Sequence, residues 1–203
     1  MRRSIAVVLI YLSVAVQAQT PPDTEVPSRL RGTIERFSQD IGAFNRLYTA
    51  QTSINRAERF RALYAEYMTG LEKLSFDSLN HDEQIDYLLF ANHLRREIRE
   101  LDREKAQFAE MAALLPFAKT ISDLEDQRRR LEAIDPGKTA ALLDVLARQI
   151  VDTQKEIEAG KITKPKRTVA SRTVRTISSL RNTLRGWYTF HNLYDPTFTW
   201  WNK

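Results

Sequence analysis

The sequence predicts an all-α fold, with about six amphipathic helices in an irregular bundle or layered array and no sheet. Three observations predict it. Apolar residues recur at steps of three and four from Pro27 onward, which stacks them on one helix face. Helix-start signals recur at Asn80, at Pro116 and at Asp135-Pro136. No stretch of four or more residues alternates cleanly between apolar and polar with turn residues at both ends, as a half-buried strand would.

The chain is expected to begin with an export signal. Arg2 and Arg3 form a positive segment, and Ile5 to Val16 is an uncharged apolar run. Val16-Gln17-Ala18 then places small residues where a signal peptidase reads them, so residues 1–18 are expected to be removed before Gln19. A membrane anchor needs roughly 20 apolar residues, and this run is shorter and gives way to Gln, Thr and Pro. No stable membrane anchor is therefore expected after cleavage. The expected location is the periplasm or the extracellular space. Residues 19–26 (QTPPDTEV) have little to bury and read as a flexible arm, leaving residues 27–203 as one helical domain.

The chain has no cysteine, so disulfides cannot stabilise it in an oxidising compartment. Its formal charge of +5 falls by two when Arg2 and Arg3 leave. An excess that small does not imply long-range attraction to nucleic acid or acidic lipid.

The helices follow in order. Leu30, Ile34, Phe37, Ile41, Phe44 and Tyr48 share the first face, and Phe60, Leu63, Tyr64, Tyr67, Leu71 and Leu74 the second, which starts near Ser53. Asn80 followed by Glu83 has the spacing of a capping box. The long helix after it presents Ile85, Leu88, Leu89, Ile98, Leu101 and Phe108. Asn92 falls within that series and is expected to hydrogen-bond inside the core or to face a polar pocket. Pro116 suits the first position of a helix lined by Phe117, Ile121, Leu124, Leu131 and Ile134. Asp135-Pro136 starts the next, with Leu142, Leu143, Leu146, Ile150, Thr153 and Ile157 on one face and Gly160 as its stop. The last helix carries Val169, Thr173, Ile177, Leu180, Leu184, Trp187 and His191, and gives out before Asp195-Pro196.

The chain then ends on Phe198, Trp200 and Trp201. Side chains of that size gain about 1.5–3 kcal/mol or more from burial, yet little chain follows to cover them. Two placements fit: the aromatics fold back into the bundle, or they pack against a continuation.

No complete catalytic site is legible. The histidines are His81, His93 and His191. A zinc-protease helix needs two histidines four residues apart with a glutamate between them, and His81 is followed at that spacing by Ile85. His93 and Glu97 share a helix face, but two ligands do not make a zinc site. There is no G-x-S-x-G elbow and no phosphate-binding loop. Carboxylate pairs such as Asp82/Asp86 and Glu97/Glu100 read as solvent-face ion pairs. From Lys161 to Arg185 eight basic residues come without an acid, and Glu97, Glu100, Asp102 and Glu104 are their expected partners rather than nucleic acid.

The segments HDEQIDYLLF (81–90), LRREIRELDRE, LLPFAKTISDLEDQRRRLEAIDPGKTAALL (114–143) and RTVRTISSLRNTLRGWYTFHNLYDPTFTWW (172–201) together resemble a large bacterial family of unknown function, itself similar to zinc-dependent metallopeptidases. The resemblance spans the chain after the signal, but only the N-terminal part of the longer family members. It implies zinc for the full-length family and none here, because no position matches the family's two-histidine helix. It also implies a partner, the missing C-terminal catalytic-type region. The interface with that region is expected at Trp187, Tyr188, His191, Tyr194, Phe198, Trp200 and Trp201. The chain is thus expected to be the non-catalytic helical portion of an exported metallopeptidase-like protein. The alternative is a self-sufficient helical binding or scaffold module of the cell envelope.

Overall fold

A computed structural model describes residues 28–201, with only the backbone of Trp201 described. The expected signal peptide and flexible arm lie outside the described residues. Within them the protein is all-α: α1 (Arg31–Leu47), α2 (Ile54–Glu72), α3 (His81–Met111), α4 (Ala118–Arg129), α5 (Pro136–Glu158), α6 (Arg167–His191) and α7 (Pro196–Trp201). Single 3₁₀ turns at Phe76–Ser78 and Ala112–Leu114 bracket α3. The seventh helix is an addition to the expected six.

Local chemistry sets the boundaries. Ser53 caps α2 by accepting from the Arg56 amide at 3.1 Å. At α3 the capping box is complete: Asn80 Oδ1 accepts from the Glu83 amide at 2.9 Å, and Glu83 Oε2 accepts from the Asn80 amide at 3.0 Å. Asp135 caps α5 through the Lys138 amide, with Pro136 at the first helical position. That helix ends as a Schellman motif. Gly160 has φ +70°, its amide donates to Ile157 O, and the Lys161 amide reaches Glu156 O.

Two layers form around α3, which is long enough to serve both. Its N-terminal two-thirds pack with α1 and α2 around Leu30, Phe37, Phe60, Tyr64, Phe90, Leu94 and Leu101. Aromatic rings meet edge-on there, with Phe37 against Tyr67 at 5.1 Å and against Phe90 at 5.2 Å. Arg29 ties the chain's entry to this layer. Its amide, Nε and Nη2 donate to the Glu83 carboxylate, which is buried although Arg29 is exposed. These bonds, with the Asn80 amide, hold the Glu83 carboxyl down at about 2. Beyond Leu101, Met111, Leu114, Phe117, Ile121, Leu146, Val169 and Leu180 build a second core from the end of α3 and from α4, α5 and α6. Leu124, Trp187 and Phe198 close it at the far end.

Four expectations are corrected. Asn92 is exposed, and so are Ile85, Leu88 and Leu89, because α1 and α2 take the stripe through Phe90, Ala91 and Leu94 instead. A long helix rich in apolar residues offers more than one stripe, and spacing alone does not say which the neighbours choose. Pro116 is not the first residue of α4; it lies in a turn closed by the Ala118 amide donating to Leu115 O, and the helix begins two residues later. Leu131 does not extend the apolar face of α4. It sits past the helix end at φ 56° and is 78% exposed. The basic run of α6 does not meet the acids of residues 97–104. Asp102 pairs with Arg61, Glu104 with Arg56, Glu100 with Arg103 and Glu97 with Arg96, while Arg172 reaches Glu110 at 2.7 Å. The reason is where the helices cross: α6 meets the last turn of α3, and the earlier acids face α2.

Candidate interaction surface

Where α6 meets α7, the chain turns through Asn192 to Asp195. Leu193 adopts φ 74°, a left-handed conformation that a branched side chain rarely takes, and Thr199 Oγ1 accepts its amide at 3.0 Å. Asp195 Oδ1 accepts from the Thr197 and Phe198 amides, which starts α7 and folds it back. This corner holds every residue expected to contact a partner.

The seven residues divide into two groups. Trp187 and Phe198 are buried, their rings 5.6 Å apart and edge-to-face. Tyr188 and His191 are half-buried against Phe198, at 5.9 and 5.7 Å. These four belong to the protein's own packing. Tyr194 and Trp200 are 84% and 83% exposed, and Leu193 beside them 82%. Trp201 is in α7, and its side chain lies outside the described residues. The structure therefore brings the aromatic set to one corner but leaves only part of it outward-facing.

The same corner holds buried polar atoms without partners among the described residues. Trp187 Nε1, His191 Nε2 and Asn192 Oδ1 are buried with no hydrogen-bond partner among the described residues. A buried donor or acceptor left unsatisfied costs about 1–3 kcal/mol, and three in one corner are unusual for a finished interior. Burial, and secondarily the positive charge of Arg128, lower the His191 pKa. Arg128 lies over the Phe190 ring at 5.1 Å, linking this corner to α4.

A second polar cluster was not anticipated from the sequence. The α1–α2 connection is clasped to α4 by side chains. Thr49 Oγ1 donates to Glu125 at 2.8 Å, Thr52 and Ser122 hydroxyls meet at 2.6 Å, and Ser53 donates to Asp126 at 2.6 Å. Glu125 also accepts from Arg128 and Arg129. Desolvation opposes ionisation of Glu125, but these donors outweigh it and its pKa is lowered. Ser122, Glu125 and Asp126 are all nearly inaccessible to solvent. Ala118, Ser122, Glu125 and Arg129 fall at i, i+4, i+7 and i+11, so a polar stripe continuing an apolar one was the available signal.

Among the described residues no group of three or more His, Asp or Glu is placed to hold a metal ion. His93 Nδ1 and Glu97 lie 3.7 Å apart, and the Arg96 guanidinium contacts both, so a cation already occupies the space between them. No described helix is long and apolar enough to cross a membrane. No protein-family model, no curated protein and no solved structure matches the chain.

Proposed function

We propose that this chain is the non-catalytic helical portion of an exported metallopeptidase-like protein, and that the corner between α6 and α7 is where a catalytic-type region packs. The exposure of Leu193, Tyr194 and Trp200 at a corner that also holds three buried polar atoms without partners among the described residues carries the reading. Contiguous exposed apolar groups rimmed by polar ones are what interaction sites present, and an indole or phenol that gains an apolar neighbour and a hydrogen bond contributes more than its area. The class of partner follows from the family resemblance of the aromatic segment 172–201. Zinc and its ligands belong to that partner.

Sequencing the encoding DNA past the Lys203 codon tests the proposal. The expected result is an in-frame or frameshifted continuation that encodes two histidines four residues apart with a glutamate between. Zinc-dependent peptidase activity from purified residues 19–203 would contradict the non-catalytic assignment.

One observation favours the second reading, a self-sufficient binding or scaffold module of the cell envelope. Trp187 and Phe198 are covered by the chain's own residues, so the C-terminal segment already contributes to a core. No continuation in the DNA, together with cooperative unfolding of a monomer, would support that reading over the first.

A further inference from the structure

The outward face of α3 carries a second helical pattern. Asp82, Ile85, Leu89, Asn92, Arg96 and Arg99 recur at alternating steps of three and four residues, the spacing of a coiled-coil seam. All six are exposed, because α1 and α2 pack on the stripe through Phe90, Ala91 and Leu94. Leu88 flanks the seam and is exposed as well. A helix with one face on a core normally turns polar residues outward. Here three apolar side chains stand at the middle of the outer face, with charged residues at both ends.

Charge selects the occupant. Asp82 lies seven residues before Leu89, and Arg96 and Arg99 lie seven and ten after it. Asp82 and Arg99 make no ion pair or hydrogen bond through their side chains among the described residues, whereas Arg96 contacts Glu97 and His93. The seam is therefore acidic at one end, apolar at its centre and basic at the other. Two such seams side by side in parallel would set Asp82 against Asp82 and Arg96 against Arg96. Antiparallel, they set Asp82 of each copy against Arg96 and Arg99 of the other, with the leucines meeting at the centre. We propose that two copies of this chain associate through α3, antiparallel and two-fold symmetric, with Leu88 and Leu89 at the axis. One patch then serves both copies, as an isologous interface requires. Asn92, the polar residue of the central seam, fixes the register at some cost in stability. A contact one helix wide belongs to the small, reversible class, with a dissociation constant on the order of 10 µM. The surface uses none of the residues assigned above to a catalytic-type region.

Sedimentation equilibrium of the purified chain from about 1 to about 500 µM should show a reversible doubling of mass. Leu89→Asp should abolish it, and since Leu89 is 64% exposed the circular dichroism melt should match the parent's. Asp82→Arg should weaken association at least about tenfold, as should Arg96→Asp combined with Arg99→Asp. All three substitutions together should return association to within about threefold of the parent. The chain has no cysteine, so a single introduced thiol can crosslink only one copy to another. Leu89→Cys should crosslink on mild oxidation, and Arg103→Cys, about 21 Å further along the helix, should not. A mass that stays monomeric across the range overturns the proposal, and so does association that ignores Leu89→Asp. Crosslinking at both positions, or charge variants that fail to rescue one another, would overturn the antiparallel pairing.

Discussion

The layer of α1, α2 and the first part of α3 and the layer of α4 to α7 use the same kind of helix but are finished to different degrees. In the first, aromatic rings interlock at 5.1–5.5 Å around Phe37, Phe90 and Phe60, and the entry strap is locked by Arg29 and Glu83. In the second, α5 buries only Thr139, Leu146 and Thr153 of its own length, while Leu142, Val145, Ile150, Val151 and Ile157 face outward. The aromatic corner beyond it exposes Tyr194 and Trp200 and leaves three buried polar atoms unpaired among the described residues. The lesson is that amphipathicity fixes which helices form, whereas which of their apolar residues are covered depends on how the helices are placed.

Substitutions should divide along the same line. Phe90→Ala empties a buried site ringed by Phe37 and Tyr67, and should cost about 3–5 kcal/mol in urea unfolding. If it costs less than about 1 kcal/mol, the first layer is not the closed unit described. Glu125→Ala removes the acceptor shared by Thr49, Arg128 and Arg129 and should cost about 2 kcal/mol. Arg129, whose side chain is 35% exposed, can turn to solvent, which keeps the loss below that of a fully buried pair.

Acid should weaken the tie between Arg29 and Glu83. Glu83 has a folded-state pKa of about 2 against an ordinary 4.5. Its contribution is therefore complete above pH 4.5 and is lost as pH falls toward 2. Glu83→Gln should flatten the stability profile across that window in a pH series of thermal melts. A profile unchanged by the substitution would show that Arg29 and Glu83 do not couple the entry strap to α3.

The smallest expected effect is at the corner. Trp200→Ala should leave the stability of the chain alone within about 0.5 kcal/mol, because its ring is 83% exposed. A loss above about 2 kcal/mol would place the indole inside the protein's own core rather than on a contact surface.

Much of this architecture was legible beforehand, for reasons visible in particular residues. Asn80 with Glu83, Asp135 with Pro136, and Gly160 each determine a helix end through bonds made within a few residues, so local sequence contains the whole cause. The aromatic segment was legible as a group, because Trp187, His191 and Phe198 do meet. What was not legible depends on long-range choices. Whether α3 buries Leu89 or Leu94 is decided by the position of α1 and α2, not by spacing. The clasp between Ser53 and Asp126 joins residues 73 apart, and a polar side chain on a helix reads as solvent-facing until its partner is known. Asp195 was expected to mark a stop, whereas its carboxylate also starts α7.

Amide hydrogen exchange, followed residue by residue on the purified chain, addresses the contrast between the layers most directly. Amides of α2 and α3 around Phe60, Phe90 and Leu94 should exchange only through global unfolding, with those of α5 and α7 opening locally and exchanging at least about a hundredfold faster. Uniform protection from α1 through α7 would contradict the contrast, since the second layer would then be as complete as the first.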